Sequence, residues 1–513
     1  MAADSIQIGK FTLESLTTGM YSEPEACYRE YIQNAVDSFD EAIAASLMKP
    51  EECRIEIIVN NDHRVISIKD NGVGIRSEDA RRILLDIGNS TKLHTANRGF
   101  RGIGRLGGLS YCKKLSFCTS AHGENVKSIV TFDCEKLRAL LVPGKNSGYD
   151  LQRVIAAVTD IEILEEQRST HYFIVKMEDV DDIATLLDID IVRDYISQVA
   201  PVPFRDRFFW GKQIKEELAS KGFLLSEYPI FIGNSFESLS QVFKPYKLTL
   251  EVSARAGVTK DEIYALTYFE IKDRSENLLA VGWYADTDFS GTLADDKLYG
   301  IRVRQGNILI GNSRTLSPYF KESRFNGWSM GELYVLSDKL IPNARRDDFE
   351  RNDTFSEFEA AIRASIGTEI AEKIRAASKK RNNPMQKTLD KTSKAVARIE
   401  TVLETGFNSS FEKEQIAKSV EDARKDLYFI PKNAPEGIAA EKTALMGKLA
   451  ELAVKVDESK KFRTKTDIPS DFSKAEKKVI QAMMEVLTRN FERDTVNSLY
   501  NEFLAELKLK GKK

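Results

Sequence analysis

The sequence is poor in the residues that build metal and disulfide sites. Only five cysteines and four histidines occur in 513 residues. The cysteines have no C-x-x-C spacing, so we predict free, buried thiols in a reducing cytoplasm. The histidines are scattered, which argues against a zinc site. These residues are Cys27, Cys53, Cys112, Cys118 and Cys134, and His63, His94, His122 and His171.

Long apolar runs and a large charge of one sign are also absent. No stretch approaches the roughly twenty apolar residues that a membrane helix needs, so no membrane association is expected. The opening MAADSIQIGKF lacks the basic and apolar regions of a signal peptide. A net charge of −3 argues against a uniformly basic nucleic-acid binder, although a local basic patch is compatible with it. The chain length predicts about two to four soluble domains.

One segment, CYREYIQNAVDSFDE at residues 27–41, places acidic and amide side chains on one helical face. Glu30, Asn34 and Asp37 stand at i, i+4 and i+7, so a helix aligns them. Apolar and aromatic residues fill much of the remaining circumference, which predicts a largely buried helix. Burying two acids and an amide costs several kcal/mol unless a partner satisfies them. A metal ion with a polyphosphate is one such partner, whereas the helix taken alone also fits a solvated polar stripe.

Two glycine-containing segments follow this helix. Asp70 ends the β-rich run at residues 65–68 and is followed by Gly72 and Gly74, which let the backbone approach a flat ligand. Taken alone, D-x-G-x-G also marks ordinary turns. The segment RGFRGIGRLGG at residues 98–108 precedes a run that can open a helix. A glycine-rich loop at a helix N-terminus presents unpaired N–H groups to phosphate.

The order of these three segments resembles the GHKL superfamily, which contains gyrase, the ninety-kilodalton heat-shock chaperone, histidine kinases and MutL. The motif R-E-x-x-x-N-A-x-D-S is similar to that of the chaperone, and its small-residue pair is shared by MORC-type ATPases. The motif GFRG is similar to that of MutL. The P-loop sequence G-x-x-x-x-G-K-[ST] does not occur. The resemblance implies an α+β chain that begins with a Bergerat-type ATP-binding α/β sandwich.

The resemblance also implies that the chain binds and hydrolyses Mg-ATP. Glu30 would be the general base, Asn34 would hold Mg²⁺ through its amide oxygen, and Asp70 would accept a hydrogen bond from the adenine amino group. The other ATP-binding residues that it implies are Asp37, Gly72, Gly74, Ile75, Asn89, Ser90, Lys92, Gly99, Phe100, Arg101, Gly102, Ile103, Gly104 and Thr170.

Two of these assignments have plain structural alternatives. Residues 76–97 are predicted to be the lid, which begins with Ser77 as a helix N-cap. Lys92 occupies the place of a lid lysine but also fits a solvated surface lysine. Thr170 matches by position the threonine at the adenine edge, but it equally fits the start of the β-patterned run at residues 171–177.

The resemblance divides the chain into three domains. Residues 1–200 would be the ATP-binding domain, and residues 201–352, which are β-rich, a middle, transducer-like α/β domain. The latter ends with the loop N-A-R-R-D-D at residues 343–348. In the family an arginine of such a loop reaches the γ-phosphate, and Arg346 is the better match, with Arg345 second. A surface arginine pair facing the two following aspartates is the alternative.

Residues 353–513 are rich in Ala, Glu, Lys, Leu and Arg, and they predict helical hairpins for dimerisation or partner binding. The function expected from the resemblance is that of a heat-shock-chaperone-like homodimer, an ATP-gated clamp on a protein client. The alternative is a MORC- or MutL-like clamp on DNA, in genome maintenance or phage defence. A histidine kinase is disfavoured because no histidine follows His171.

Overall fold

The computed structural model describes residues 9–16, 23–87, 104–142, 149–254, 257–381, 383–431, 433–462, 467–469, 472–491 and 493–510. Several predicted site residues lie outside this part of the chain, namely Asn89, Ser90, Lys92, Gly99, Phe100, Arg101, Gly102 and Ile103. The chain forms two compact units. The first unit consists of Met1–Ala285 and Gly291–Ala371, and the second consists of Asp286–Ser290 and Glu372–Lys513. The α+β class, with a helical C-terminal region, is confirmed, whereas the domain boundaries at residues 200 and 352 stay predictions.

The first sheet of the first unit has eight strands, in the order β5-β4-β3-β6-β2-β1-β7-β8. Its pairs are antiparallel except for β1 with β7. The first two strands, β1 and β2, form an antiparallel hairpin, and β2 contains the β-rich run at residues 65–68. The strands are β1 Ile55–Asn60, β2 Val65–Asp70, β3 Lys114–Ser120, β4 Val126–Asp133, β5 Thr159–Glu165, β6 Tyr172–Glu178, β7 Ile230–Gly233 and β8 Ser240–Gln241.

Among the described residues, eight α-helices precede β7 in the chain; seven of them accompany this sheet, and α8 packs into the core of the sheets that follow. The helix expected at residues 27–41 is present as α2, and its apolar side packs into the core through Tyr28, Val36 and Phe39, each fully buried. The helices are α1 Phe11–Leu16, α2 Ala26–Ala44, α3 Ser77–Leu85, α4 Cys134–Leu141, α5 Leu151–Val158, α6 Ala184–Leu187, α7 Ile189–Val199 and α8 Trp210–Ser220.

Two smaller sheets follow in the same unit. One has the order β10-β9-β13 and the other β11-β12-β16-β14-β15. The strands are β9 Thr249–Ala254, β10 Gly257–Glu262, β11 Ala265–Lys272, β12 Leu278–Asp286, β13 Thr292–Leu293, β14 Gly300–Gln305, β15 Ile308–Ile310 and β16 Met330–Val335. Helix α9, Asp353–Ala364, is capped by Asn352, whose side chain accepts a hydrogen bond from the Phe355 N–H.

A buried ionic cluster joins α7 to the larger of these sheets. Glu332 on β16 accepts a hydrogen bond from Lys244 Nζ at 2.8 Å and another from Arg304 on β14. Arg304 Nη2 also donates to the Gln198 carbonyl of α7 at 2.7 Å. All three charged side chains are almost fully buried. The cluster therefore fixes the end of α7 on the sheet that leads into the loop at residues 343–348.

The second unit is helical, and side-chain caps mark where its helices begin. Asn383, Ser409 and Ser473 each accept from backbone N–H groups in the first turn of α11, α12 and α14. Its helices are the last part of α10 Ile366–Arg381, then α11 Pro384–Thr405, α12 Ser410–Tyr428, α13 Glu436–Glu458, α14 Lys474–Asn490 and α15 Arg493–Lys510. Among the described residues, no helix has the length and apolar character to cross a membrane.

Candidate active site

The three polar residues predicted on α2 lie along one face of that helix. Glu30 is 7% exposed and Asp37 is 1% exposed, while Asn34 is half-buried. The helix ends at Ala44, so all three lie well inside it. The face is therefore a row of acid, amide and acid in a mostly apolar setting, as the spacing predicts.

The D-x-G-x-G loop after β2 docks on the same helix. Asp70 Oδ1 accepts from the Gly72 N–H at 2.9 Å, and Ser38 Oγ on α2 accepts from the Val73 N–H at 2.9 Å. A Cβ atom on Gly72 would lie 2.1 Å from Ser38 Oγ. Gly74 has a φ of +68°, and a Cβ atom there would lie 2.0 Å from the Ser120 carbonyl oxygen. Both positions therefore require glycine, because only its bare backbone allows these approaches.

Two further side chains hold this loop in place. Thr119 Oγ1 on β3 accepts from the Ile75 N–H at 2.8 Å and donates to the Tyr172 carbonyl at 3.1 Å. His171 Nδ1 lies 2.7 Å from the Gly72 carbonyl oxygen. Since that oxygen can only accept, Nδ1 carries the proton. Backbone polar groups of the loop are thus bonded to side chains from α2, from β3 and from the residue just before β6.

Sequence reasoning missed Ser38, Thr119 and His171. Ser38 could have been found, because it lies four residues after Asn34 on the helix. Thr119 and His171 depend on the strand register, in which Phe173 pairs with both Asp70 and Thr119. That register is not visible in one sequence.

Thr170 lies in the turn before β6. Its hydroxyl donates to the Gln167 carbonyl at 2.7 Å, and its own carbonyl accepts from Ser120 Oγ at 3.4 Å. These bonds place Thr170 beside the residue that Gly74 approaches. The predicted contact of Thr170 with adenine stays a prediction.

The described end of the glycine-rich segment contacts the acidic helix directly. A Cβ atom on Gly104 would lie 2.3 Å from Glu30 Oε2. Residues Gly104–Gly108 form a 3-10 helix, and Tyr31 OH on α2 accepts from the Gly108 N–H at 2.9 Å. The glycine at position 104 therefore lets the segment lie against the carboxylate.

Arg105 anchors the same segment to the end of α3. Its guanidinium donates to the Leu84 carbonyl at 3.2 Å and to the Asp86 carbonyl. Burial lowers the pKa of Arg105 to about 10, so the group stays protonated near neutral pH. The segment after the glycines is thus held between α2 and α3.

The arginine loop reaches Glu30 from the other side. Arg346 Nε lies 3.8 Å from Glu30 Oε1, and Arg346 is 7% exposed with a φ of +57°. Arg29 Nη2 donates to the Arg345 carbonyl at 2.9 Å and lies 3.4 Å from Glu30 Oε1. The side chain of Arg345 is exposed. Of the two predicted arginines, the structure therefore brings the side chain of Arg346 and only the backbone of Arg345 to the acidic helix.

The aspartates of this loop bond elsewhere. Asp347 Oδ1 accepts from Asn343 Nδ2 at 2.6 Å, and Asp348 accepts from Arg351 at 2.7 Å. Arg346 is buried against Glu30, so the alternative of a solvated arginine pair does not describe its position. Its contact with a γ-phosphate stays a prediction.

One cysteine contacts the glycine-rich segment, because Cys112 Sγ donates to the Gly108 carbonyl at 3.3 Å. Four of the five cysteines are buried, and Cys118 is half-buried. None of the five forms a disulfide. Burial raises the pKa of Cys27 on α2 to about 12, so this thiol stays protonated and packs as a small apolar group.

The sheet backed by helices, with an acidic helix and two glycine segments meeting on one side, defines a nucleotide-binding α/β sandwich of the Bergerat type. Residues 21–149 match the family described as Histidine kinase-, DNA gyrase B-, and HSP90-like ATPase. The resemblance to the GHKL superfamily is therefore confirmed, and this segment carries a GHKL-type ATPase domain.

Two chaperones share a short stretch with this chain. Chaperone protein HtpG of Streptomyces coelicolor is 29% identical over 84 residues, which are 15% of this chain and 13% of the relative. Chaperone protein HtpG of Acinetobacter baylyi is 31% identical over 74 residues, which are 13% of this chain and 12% of the relative. The similarity thus spans about an eighth of the length of each relative.

Proposed function

We propose that this chain binds and hydrolyses Mg-ATP and works as a heat-shock-chaperone-like, ATP-gated dimeric clamp on a protein client. The observation that carries the proposal is the meeting of three separate segments at Glu30. Gly104 lies against one carboxylate oxygen, and Arg346 lies 3.8 Å from the other. An acid, a glycine-rich phosphate loop and an arginine are the parts that phosphoryl transfer to water requires.

The described residues fit ATP and magnesium. Asp70, 5% exposed at the end of β2, suits the adenine amino group, and Gly74 lets the loop after Asp70 lie close against β3. The amide oxygen of Asn34 is a hard ligand of the kind that Mg²⁺ prefers. When bound, the ion would neutralise charge on the phosphate oxygens. The N–H groups of the glycine segment that ends at Gly104 would take the phosphates.

Glu30 and Arg346 would perform the reaction. Glu30 accepts a proton from a water molecule while the oxygen of that water bonds to the γ-phosphorus. The bond from that phosphorus to the β-phosphate oxygen breaks, and ADP and phosphate are released. Arg346 stabilises the negative charge that develops on the transferred group, a role for which a guanidinium is suited. General-base catalysis typically contributes 10²–10⁴-fold.

The test of the ATPase uses wild-type protein and Glu30→Ala. Calorimetric titration of the wild-type chain with magnesium and ATP should release heat, and phosphate release should be catalytic. Glu30→Ala should bind ATP without turning it over. Absence of heat with the wild-type chain would end the proposal, whereas retained hydrolysis by Glu30→Ala would remove that residue from the base role.

The dimeric clamp and the client are the finer parts of the proposal. The short similarity to HtpG chaperones supports a protein client, and the five free thiols suit the cytoplasm. Size-exclusion chromatography with light scattering, with and without a non-hydrolysable ATP analogue, tests the dimer. A monomer in both conditions would contradict the clamp. Suppression of client aggregation favours the chaperone, and salt-dependent DNA binding would favour the MORC- or MutL-like clamp instead.

A further inference from the structure

One buried side chain on α2 has no assigned role, namely Gln33. It is 1% exposed. In the part of the chain that the structure describes, neither its Nε2 nor its Oε1 has a hydrogen-bond partner. Leaving a buried polar group unbonded costs about 1–3 kcal/mol. Native proteins rarely keep such a cost without a ligand or a function.

The helical spacing places Gln33 within the catalytic face. It follows Arg29 by four residues and Glu30 by three, and it precedes Asp37 by four. Side chains at these spacings are neighbours on a helix, with Cβ atoms roughly 5–6 Å apart. Gln33 therefore lies among the basic and acidic residues at which the arginine loop docks.

The surroundings of Gln33 differ from those of Ser38 at the other end of this face. Ser38 holds the D-x-G-x-G loop, which is the adenine side. Arg29, on the Gln33 side, holds the backbone of Arg345, and Arg346 follows beside Glu30. Two guanidinium groups and a carboxylate mark this as the place where an anionic group reacts with water. An amide N–H is a good donor to such an anion.

We infer that Gln33 is a further nucleotide-contacting residue, whose Nε2–H group donates to an oxygen of the terminal phosphate. The inference rests on the proposed function, since it requires that the chain bind ATP. Gln33 would then help the site to distinguish ATP from ADP, because only ATP carries the phosphate that the amide would contact. The cost of the buried, unbonded amide is then removed when ATP binds.

Replacement of Gln33 has different effects if the residue contacts a ligand than if it only packs in the core. Gln33→Met keeps the approximate volume and removes both polar atoms. Because the amide has no described partner to lose, the unliganded Gln33→Met protein should be as stable as wild type or more stable. Under our inference, the same variant should lose affinity for ATP. The two effects have opposite signs, which separates a ligand contact from a packing role.

The experiment measures ATP and ADP binding by calorimetry, in magnesium, for wild type, Gln33→Met and Ser38→Ala. Gln33→Met should lower the affinity for ATP about tenfold, which is about 1.4 kcal/mol. Its affinity for ADP should stay within about twofold of the wild-type value. Ser38→Ala should weaken both nucleotides alike. Gln33→Glu is a second variant, in which a carboxylate beside the phosphate should weaken ATP more than ADP.

The outcomes are distinguishable. If wild type binds neither nucleotide, the proposed function fails before Gln33 is tested. If wild type binds both, and both Gln33 variants keep the wild-type ratio of ATP to ADP affinity, our inference is overturned while the ATPase stands. If the Gln33 variants lower that ratio and Ser38→Ala does not, the contact with the terminal phosphate is supported.

Discussion

The guanidinium of Arg346 and the carboxylate of Glu30 lie 3.8 Å apart, with both side chains 9% exposed. In the sequence, one lies near the beginning and the other near the end of the first compact unit. The contact is completed by Arg29, which donates to the carbonyl of the residue before Arg346. The arginine loop is therefore docked on the acidic helix within a single chain, and no second chain is needed to bring it there.

The first prediction concerns the two arginines of this loop. Arg346→Ala should lower kcat about 10³-fold or more without a comparable change in ATP affinity, because the guanidinium would act on charge that develops only during transfer. Arg345→Ala is the matched control. Its side chain is exposed, and its carbonyl, which Arg29 binds, is kept. Steady-state phosphate release measures both. A larger loss for Arg345→Ala than for Arg346→Ala would reverse the assignment.

The second prediction concerns Gly104. Gly104→Ala would place a methyl carbon 2.3 Å from Glu30 Oε2, which is much closer than two such atoms can approach. The carboxylate must then move, and misplacement of about 1 Å can cost on the order of 10²-fold in rate. We expect a loss of hydrolysis that exceeds any loss of stability, measured by phosphate release and thermal melting.

Gly447→Ala provides the control for Gly104→Ala. A Cβ atom on Gly447, inside α13, meets no atom within 4 Å. This substitution should stabilise its helix by about 1 kcal/mol and leave hydrolysis unchanged. If both alanine variants had equal activity, close packing of Gly104 against the carboxylate would have no catalytic importance.

The third prediction concerns the buried carboxylate of Glu332. Glu332→Gln should lower the free energy of unfolding by about 3–5 kcal/mol, because it leaves Lys244 and Arg304 buried without a counter-charge. Glu216→Gln is the control. Its partner is Lys212 in an exposed i, i+4 pair with side chains 85% and 65% exposed, and such pairs contribute about 0.3–0.5 kcal/mol. Denaturant unfolding measures both variants. Equal losses would show that the buried cluster adds nothing beyond a surface pair.

The same carboxylate gives stability a definite pH dependence. Burial alone would raise the pKa of Glu332, but Arg304 and Lys244 outweigh it and lower the pKa from 4.5 to about 2. Its contribution to stability is therefore complete above pH 4.5 and is lost as the pH falls toward 2. The difference in unfolding free energy between wild type and Glu332→Gln should shrink over that range. A difference that grows on acidification would contradict the assignment.

The local parts of the site could be predicted from the sequence, and the parts set by tertiary contacts could not. Helical spacing alone aligns Glu30, Asn34 and Asp37, and glycine chemistry alone marks the loop after Asp70. Helix Phe11–Leu16, whose first turn bonds back to the carbonyls of Gly9 and Lys10, is not marked by either kind of local signal.

What the sequence could not supply is contact between distant segments. Whether Arg346 is buried or solvated depends on the docking of a loop far along the chain, and the role of His171 depends on the pairing of β2 with β6. Gln33 was passed over for a different reason. Its spacing places it among the polar residues of α2, but its lack of a hydrogen-bond partner is visible only once the neighbours are placed.

The last prediction concerns Asp70 and the loop that it supports. Asp70→Asn should abolish detectable ATP binding, because asparagine has a single side-chain oxygen, which cannot accept from both the Gly72 N–H and the adenine amino group, so its NH₂ group opposes one of these two donors. Asn71→Ala is a neighbouring control. The Asn71 side chain bonds the Arg54 N–H and the Glu52 carbonyl, away from the glycines, so its loss should lower stability more than ATP affinity. Calorimetry and thermal melting of both variants give the comparison, and unchanged affinity in Asp70→Asn would refute the adenine assignment.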